Sequence, residues 1–244
     1  MKLDPNDPNH SPNDPKLDLF DLGRDALAAA RAAFDGRAFF VSARRLQPNG
    51  AWLGPPEATL AMVEEDALAA LGGLAGARKL GANTVLCHGT GALLSDAVGL
   101  GMLCLVRLPF AASESIDVRR ARLDQLGELV RRVPGIDGVL PIPVGEAQGL
   151  DTLQFFAACR MACHMISPAM HLIVDVELYG HKLGQLCLSF GADQILGSIT
   201  AQRTLRLGAN ASSNALTRDE AALLLRASGF TPCERLPEGK VQVL

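Results

Sequence analysis

A chain of 244 residues, 48% hydrophobic and 20% charged, can bury one sizeable core, either as a single α/β barrel or as two small domains. Its formal charge of −3 and isoelectric point near 6.0 exclude long-range attraction to nucleic acid or anionic membrane. No apolar run reaches the length of a membrane helix, and the acidic, proline-rich start lacks the layout of a signal peptide, so a cytoplasmic location is expected.

Residues 1–19 read as a disordered tail rich in Asn, Asp and Pro: Pro5-Asn6-Asp7-Pro8 returns as Pro12-Asn13-Asp14-Pro15, with few backbone donors and little to bury. Residues 20–244 read as one barrel-like domain with a C-terminal helix. From Asp21 to Phe34, Leu22, Ala26, Ala29, Ala30 and Ala33 recur at helical spacing, and Gly36 supplies the stop. Ala38 to Ala43 is a nearly continuous apolar run, the pattern of a parallel strand buried on both faces. A turn at Gln47-Pro48-Asn49-Gly50 and a loop through Pro55-Pro56 follow.

Glu57 to Leu74 reads as a second amphipathic helix and Ala82 to Cys87 as a strand ending in His88-Gly89-Thr90-Gly91. A short helix from Leu93 to Gly99 leads into a strand from Met102 to Val106. Ser115 to Val133 predicts a helix with one solvated face, Asp137 to Ile142 a strand, residues 150–165 a helix, His171 to Val174 a strand, and Tyr179 to Phe190 a helix. Ala192 to Leu196 is the last strand before a Gly- and Asn-rich stretch, Leu207 to Asn214. Thr217 then starts a helix with Asp219 and Glu220 in its first turn, ending at Gly229, and Pro232 to Leu244 is a tail or edge strand.

This alternation predicts parallel strands joined by right-handed crossovers. No Gly-x-Gly-x-x-Gly follows the first strand, which weakens a dinucleotide-binding sheet. About six strands suit a partial (β/α) TIM-like barrel. Six cysteines, Cys87, Cys104, Cys159, Cys163, Cys187 and Cys233, are expected as reduced thiols in the core.

The stretch opening Gly149-Leu150-Asp151-Thr152-Leu153 and closing Leu188-Ser189-Phe190-Gly191-Ala192-Asp193-Gln194-Ile195-Leu196-Gly197-Ser198 resembles the second half of a menaquinone-pathway family. These are the radical S-adenosylmethionine enzymes aminofutalosine synthase and cyclic dehypoxanthine futalosine synthase. With less force, Gly99 to Met102, Leu123 to Gly135, Val139 to Pro143, and Leu22 to Val41 are similar to upstream elements of that family. The resemblance covers most of residues 20–235 and implies a barrel of the radical S-adenosylmethionine type.

The family holds a 4Fe–4S cluster with a Cys-x-x-x-Cys-x-x-Cys loop after the first strand. Here that place reads Arg44-Arg45-Leu46-Gln47-Pro48-Asn49-Gly50-Ala51-Trp52, without a cysteine. No cofactor is therefore expected, neither cluster nor residual S-adenosylmethionine. Cys159 and Cys163 lie four apart in a predicted helix, a spacing that fits core packing better than ligation.

Candidate ligand-binding residues are His88 and Gly89 in the turn after a strand, Asp175 at a strand end with Glu177 beside it, and Gly191, Asp193 and Gly197 around the last strand. The first group reads more readily as an ordinary glycine turn with an exposed histidine, and the last equally as a helix-to-strand turn. Asp175 and Glu177 could work as an acid and base pair or stand solvated. Arg44 and Arg45 could hold an anion or simply face water.

The expected function is that of a degenerate family member, a pseudoenzyme of the futalosine pathway acting as a non-catalytic partner or small-ligand-binding protein. A heterodimer with a menaquinone-pathway radical S-adenosylmethionine enzyme and a small-molecule ligand are the partners this allows; nucleic acid and membrane are not. The alternative is a cluster-free lyase or isomerase acting on a nucleoside-like or carboxylate substrate through His88, Asp175 or Asp193.

Overall fold

The computed structural model describes residues 19–89, 91–145, 149–201 and 215–244. The expected tail up to Asp18 and the stretch Leu207 to Asn214 lie outside the described residues. In chain order the elements are α1 (Leu19–Ala33), β1 (Arg37–Leu46), β2 (Trp52–Leu53), β3 (Leu60–Glu64), α2 (Gly73–Lys79), β4 (Thr84–Cys87), α3 (Gly91–Gly99), β5 (Leu103–Phe110), α4 (Ile116–Arg132) and β6 (Ile136–Pro143). They continue with α5 (Gly149–Ile166), β7 (His171–Asp175), α6 (Val176–Ser189), β8 (Gln194–Gly197), β9 (Ile199–Thr200), β10 (Leu216–Thr217), α7 (Arg218–Ala227), β11 (Thr231–Arg235) and β12 (Val241–Val243).

Seven parallel strands, in the order β1, β3, β4, β5, β6, β7, β8, form a ring that closes where β8 pairs with β1, Phe39 opposite Gln194 and Ser42 opposite Gly197. The ring holds one strand more than the six expected. The addition is β3, inside the stretch Glu57 to Leu74 that helical spacing had assigned to a helix. Leu, Ala, Met and Glu favour helices intrinsically, but Leu60, Ala61, Met62 and Val63 are all buried between β1 and β4, whose backbones complete their hydrogen bonds. Only after Gly72 and Gly73, both at positive φ, does the chain turn into α2.

Strand β1 joins the barrel together. Its first half pairs with β8 and β11, its second half with β3 and the short antiparallel β2. Alternate side chains of each barrel strand face inward. Val41 and Ala43 from β1, Leu60 and Met62 from β3, Leu86, Leu105, Leu140, Ile173 and Leu196 make a closed apolar interior. The opposite faces pack on the helices in a larger second core that includes Phe40, Val85, Cys104, Val139, Phe156 and Leu172. Gly138 is required inside the ring, since a Cβ there would lie 2.7 Å from Ile173 Cδ1 and 3.0 Å from the His171 carbonyl oxygen.

Helix starts follow local chemistry. The Ser115 hydroxyl accepts from Val118 N–H ahead of α4, and Thr217 forms a reciprocal capping box with Glu220 ahead of α7. Thr217→Ala is expected to lower stability by about 1 kcal/mol, read as a shift in urea midpoint at constant slope; an unchanged midpoint would show that the cap contributes nothing.

Candidate functional site

Above the apolar interior, the next inward position of several strands is charged. Arg45 follows Val41 and Ala43 on β1, Glu64 follows Leu60 and Met62 on β3, Arg107 follows Leu105 on β5, and Asp175 follows Ile173 on β7. These side chains meet at the C-terminal mouth, the end where barrel enzymes carry their sites. Arg45 Nη2 bonds Asp175 Oδ2, its Nη1 lies 3.4 Å from Glu177 Oε2, and its Nε lies 3.9 Å from Glu64 Oε1. Glu64 is shared, because its second oxygen pairs with Arg107 Nη2.

The network extends to the turn after β3 and the loop after β4. Arg107 Nη1 lies 3.9 Å from Asp66 Oδ2 and 3.5 Å from His88 Nε2, and His88 Nε2 lies 3.7 Å from the same Asp66 oxygen. The His88 backbone N–H donates to Glu65 Oε2 at 2.7 Å. Gly89 takes φ +95° over Leu129.

Asp175 also caps α6, accepting from Glu177 N–H at 2.9 Å, while Glu177 Oε1 accepts from Ser198 N–H at 3.0 Å. Gly197 permits this approach, since a Cβ there would meet Val176 Cγ2 at 2.7 Å. Helix α6 is interrupted at Gly180, φ +71°, so its first turn is a separate platform beside the mouth, tied down by Tyr179 Oη donating to Pro141 O at 3.0 Å.

Burial pushes the Asp175 carboxyl above the ordinary carboxylate range, and neighbouring Glu177 adds to this while Arg45 opposes it. For Arg45 burial works against the charge, but Asp175, Glu177 and Glu64 outweigh it and hold the guanidinium firmly protonated. The mouth thus offers one carboxyl with raised proton affinity beside a second, more accessible one, an arrangement able to bind a polar group or to exchange a proton with it.

The candidates His88, Gly89, Asp175 and Gly197 come together here. Gly191 and Asp193 do not: they stand at the opposite, N-terminal end. There the buried Asp193 carboxylate is filled by Arg160 Nη2 at 2.7 Å, Leu172 N–H at 2.8 Å and His171 Nδ1 at 2.9 Å. Arg160 Nε also donates to Gly191 O at 2.8 Å. Gly191, at φ +98°, could not carry a Cβ, which would fall 2.6 Å from Arg160 Cβ. These residues tie α5 to the starts of β7 and β8. At the same end Arg235 forms a two-pronged pair with Asp137, at 2.8 and 2.9 Å, and donates to Gln194 Oε1.

Arg45 was noticed in the sequence only as one of two adjacent arginines, and Glu64, Glu65, Asp66 and Arg107 were missed. Two-residue alternation carried on past Ala43 and Leu105 would have found Arg45 and Arg107.

A cluster seated after β1 needs thiolates there. Instead, β1 runs on through Leu46 into a hairpin with β2, and the Arg44 guanidinium stacks on Trp52, 4.3 Å from the ring centre. All six cysteines are buried, in β4, β5, α5, α6 and β11. Burial pushes the thiols of Cys87, Cys104 and Cys163 up to about 11, against forming a thiolate. No three His, Cys, Asp or Glu side chains among the described residues are grouped to hold a metal ion. The described side chains do not fit a 4Fe–4S cluster at this place.

No family model and no curated protein matches the chain. Solved structures do. Methylornithine synthase matches with a TM-score of 0.59 at 12% identity over 88% of this chain and 89% of its own. A structure of HydG, a maturase of the FeFe-hydrogenase, matches with a TM-score of 0.58 at 10% identity over 91% of this chain and 70% of its own. HydG from Carboxydothermus hydrogenoformans gives 0.57 at 11%, over 91% and 74%. With its closed ring of seven parallel strands and outer helices, the chain has a TIM-like (β/α) barrel fold, which it shares with these structures.

Proposed function

We propose that this chain is a radical S-adenosylmethionine-like homologue of the futalosine-pathway enzymes that works without a cluster. It acts as a non-catalytic partner protein, or holds a small ligand at the barrel mouth through His88, Gly89, Asp175 and Gly197. One observation carries the reading: where the fold would seat its cluster the chain places the Arg44 and Arg45 hairpin, cross-linked to Asp175 and Glu177, and its cysteines are buried in the core. Thiolates are what such clusters require.

Anaerobic reconstitution of the full chain with iron and sulfide tests this. The expected result is no stoichiometric iron and no broad charge-transfer absorbance in the purified protein. A full complement of four irons per chain would overturn it.

A second reading, a cluster-free lyase or isomerase on a nucleoside-like or carboxylate substrate, is favoured by the raised proton affinity of Asp175 next to Glu177. In that reading these two carboxyls move the proton. Asp193 takes no part, because it is fully buried at the opposite end of the barrel and held by Arg160, His171 and the Leu172 N–H.

A further inference from the structure

Two donors at the barrel mouth find no acceptor in the protein. Arg45 and Arg107 both point inward from their strands, and the buried Nε of each makes no hydrogen bond. The other buried side-chain nitrogens in this condition among the described residues lie elsewhere: Arg44 on the outer face of β1, Arg119 on α4, His164 on α5 and Gln194 at the start of β8. Buried donors are nearly always paired, because an unmade bond costs the group its hydration with nothing in return. A guanidinium, which keeps its charge throughout, makes the demand sharper.

Both donors surround one side chain. Glu64 Oε2 pairs with Arg107 Nη2, but Glu64 Oε1 comes only to 3.9 Å from Arg45 Nε, beyond hydrogen-bond reach. The two arginines therefore stand one carboxylate apart, and the carboxylate between them satisfies neither Nε. The outer nitrogens of Arg45 are taken by Asp175 and Glu177, while Arg107 Nη1 has only loose neighbours, His88 Nε2 at 3.5 Å and Asp66 Oδ2 at 3.9 Å. The Glu64 side chain is 32% exposed, and among the described residues its carboxylate pairs with these two arginines alone. It is free to turn outward.

We propose that Glu64 stands in for the carboxylate of a ligand. A small organic acid enters the mouth, its carboxylate takes the place between Arg45 and Arg107 and accepts from both Nε–H groups, and Glu64 turns toward solvent. The exchange selects the class. An incoming carboxylate brings the same single charge that Glu64 takes away, whereas a phosphomonoester brings close to two, beside Asp175 and Asp66. The inference rests on reading the mouth as a ligand site without a cluster, and it names the group by which that ligand is held.

Saturation-transfer NMR on the full chain tests it with benzoate, phenyl phosphate and benzamide, one ring carrying three head groups. Benzoate is expected to bind with a Kd on the order of 1 mM, phenyl phosphate and benzamide at least about tenfold more weakly. Glu64→Gln removes the competing charge and should tighten benzoate by about three- to tenfold, an effect that a merely structural Glu64 would not produce. Arg107→Gln should weaken it at least about tenfold, and Arg131→Gln on the outer surface should change nothing. Phenyl phosphate bound as tightly as benzoate, or benzoate bound no tighter by Glu64→Gln than by the parent, overturns the proposal. Iron content of the same samples separates it from the cluster-free reading. An iron-free chain that ignores benzoate in parent and Glu64→Gln alike overturns this site alone, whereas a chain with a full cluster overturns the cluster-free reading.

Discussion

Arg160→Met is expected to lower the unfolding free energy by about 3 to 5 kcal/mol, because it strips the countercharge from an Asp193 carboxylate that has no access to water. The loss should exceed that of any surface ion pair in the chain, including Arg131 with Glu128, where about 0 to 1 kcal/mol is the norm. The arginine holds Asp193, Gly191 O and, at 3.4 Å, Met170 O at once, so its removal also leaves backbone acceptors without a donor. Urea unfolding at neutral pH measures it. The double variant Arg160→Met, Asp193→Leu should recover part of the loss, since no lone charge then remains buried. A single variant within about 1 kcal/mol of the parent would show that the pair is not what joins α5 to β7 and β8.

The second large effect is pH-dependent. Arg45→Met is expected to cost about 2 to 3 kcal/mol near pH 8 and distinctly less near pH 5. The sign follows from Asp175. Its folded-state pKa is raised above the unfolded value by burial, so its contribution favours the fold below the unfolded value, near 4, and is lost as pH rises through the raised one. Arg45 is what keeps the charged form tolerable at higher pH. Without it the carboxyl takes a proton more readily, so the penalty grows as pH rises through the raised folded-state pKa and levels off once both states are ionised. Parallel urea titrations of parent and variant at several pH values give the difference directly. A cost that is flat from pH 5 to pH 8, or larger at pH 5, would show that Asp175 does not depend on Arg45.

Most of the ring was legible because strands buried on both faces have to be apolar throughout, and Ala38 to Ala43, Met102 to Val106 and His171 to Val174 stand out for that reason. Strand β3 was not legible. Its residues prefer helices in isolation, and only the neighbouring backbones of β1 and β4 decide otherwise. The short β12, whose backbone pairs antiparallel with β11, was foreseen no more closely than as a tail or edge strand.

The site was legible in its glycines and in Asp175, which adjoin strand ends. Its cations were hidden, because the continuous apolar runs break at Arg44 and Arg107 while the strands themselves run on to Leu46 and Phe110. A charged residue on the inside of a barrel strand looks like the beginning of a loop. The Asp193 corner lies at the other end of the barrel, where the run Phe190-Gly191-Ala192-Asp193 makes a tight helix-to-strand turn over Arg160.

The double pairing of β1 has a cost in time. Its first half finds both neighbours, β8 and β11, only in the last third of the chain, and Ser42 Oγ donates to Ile199 O across 157 positions of sequence. At roughly 5 to 20 residues per second, a ribosome leaves that edge of the first strand bare for on the order of ten seconds. Until then the nascent chain carries an open, apolar template ready to be captured by another molecule's strand. The β2 hairpin covers only the second half of β1, so polysome-bound fragments ending before Gln194 should be the most aggregation-prone species this protein produces.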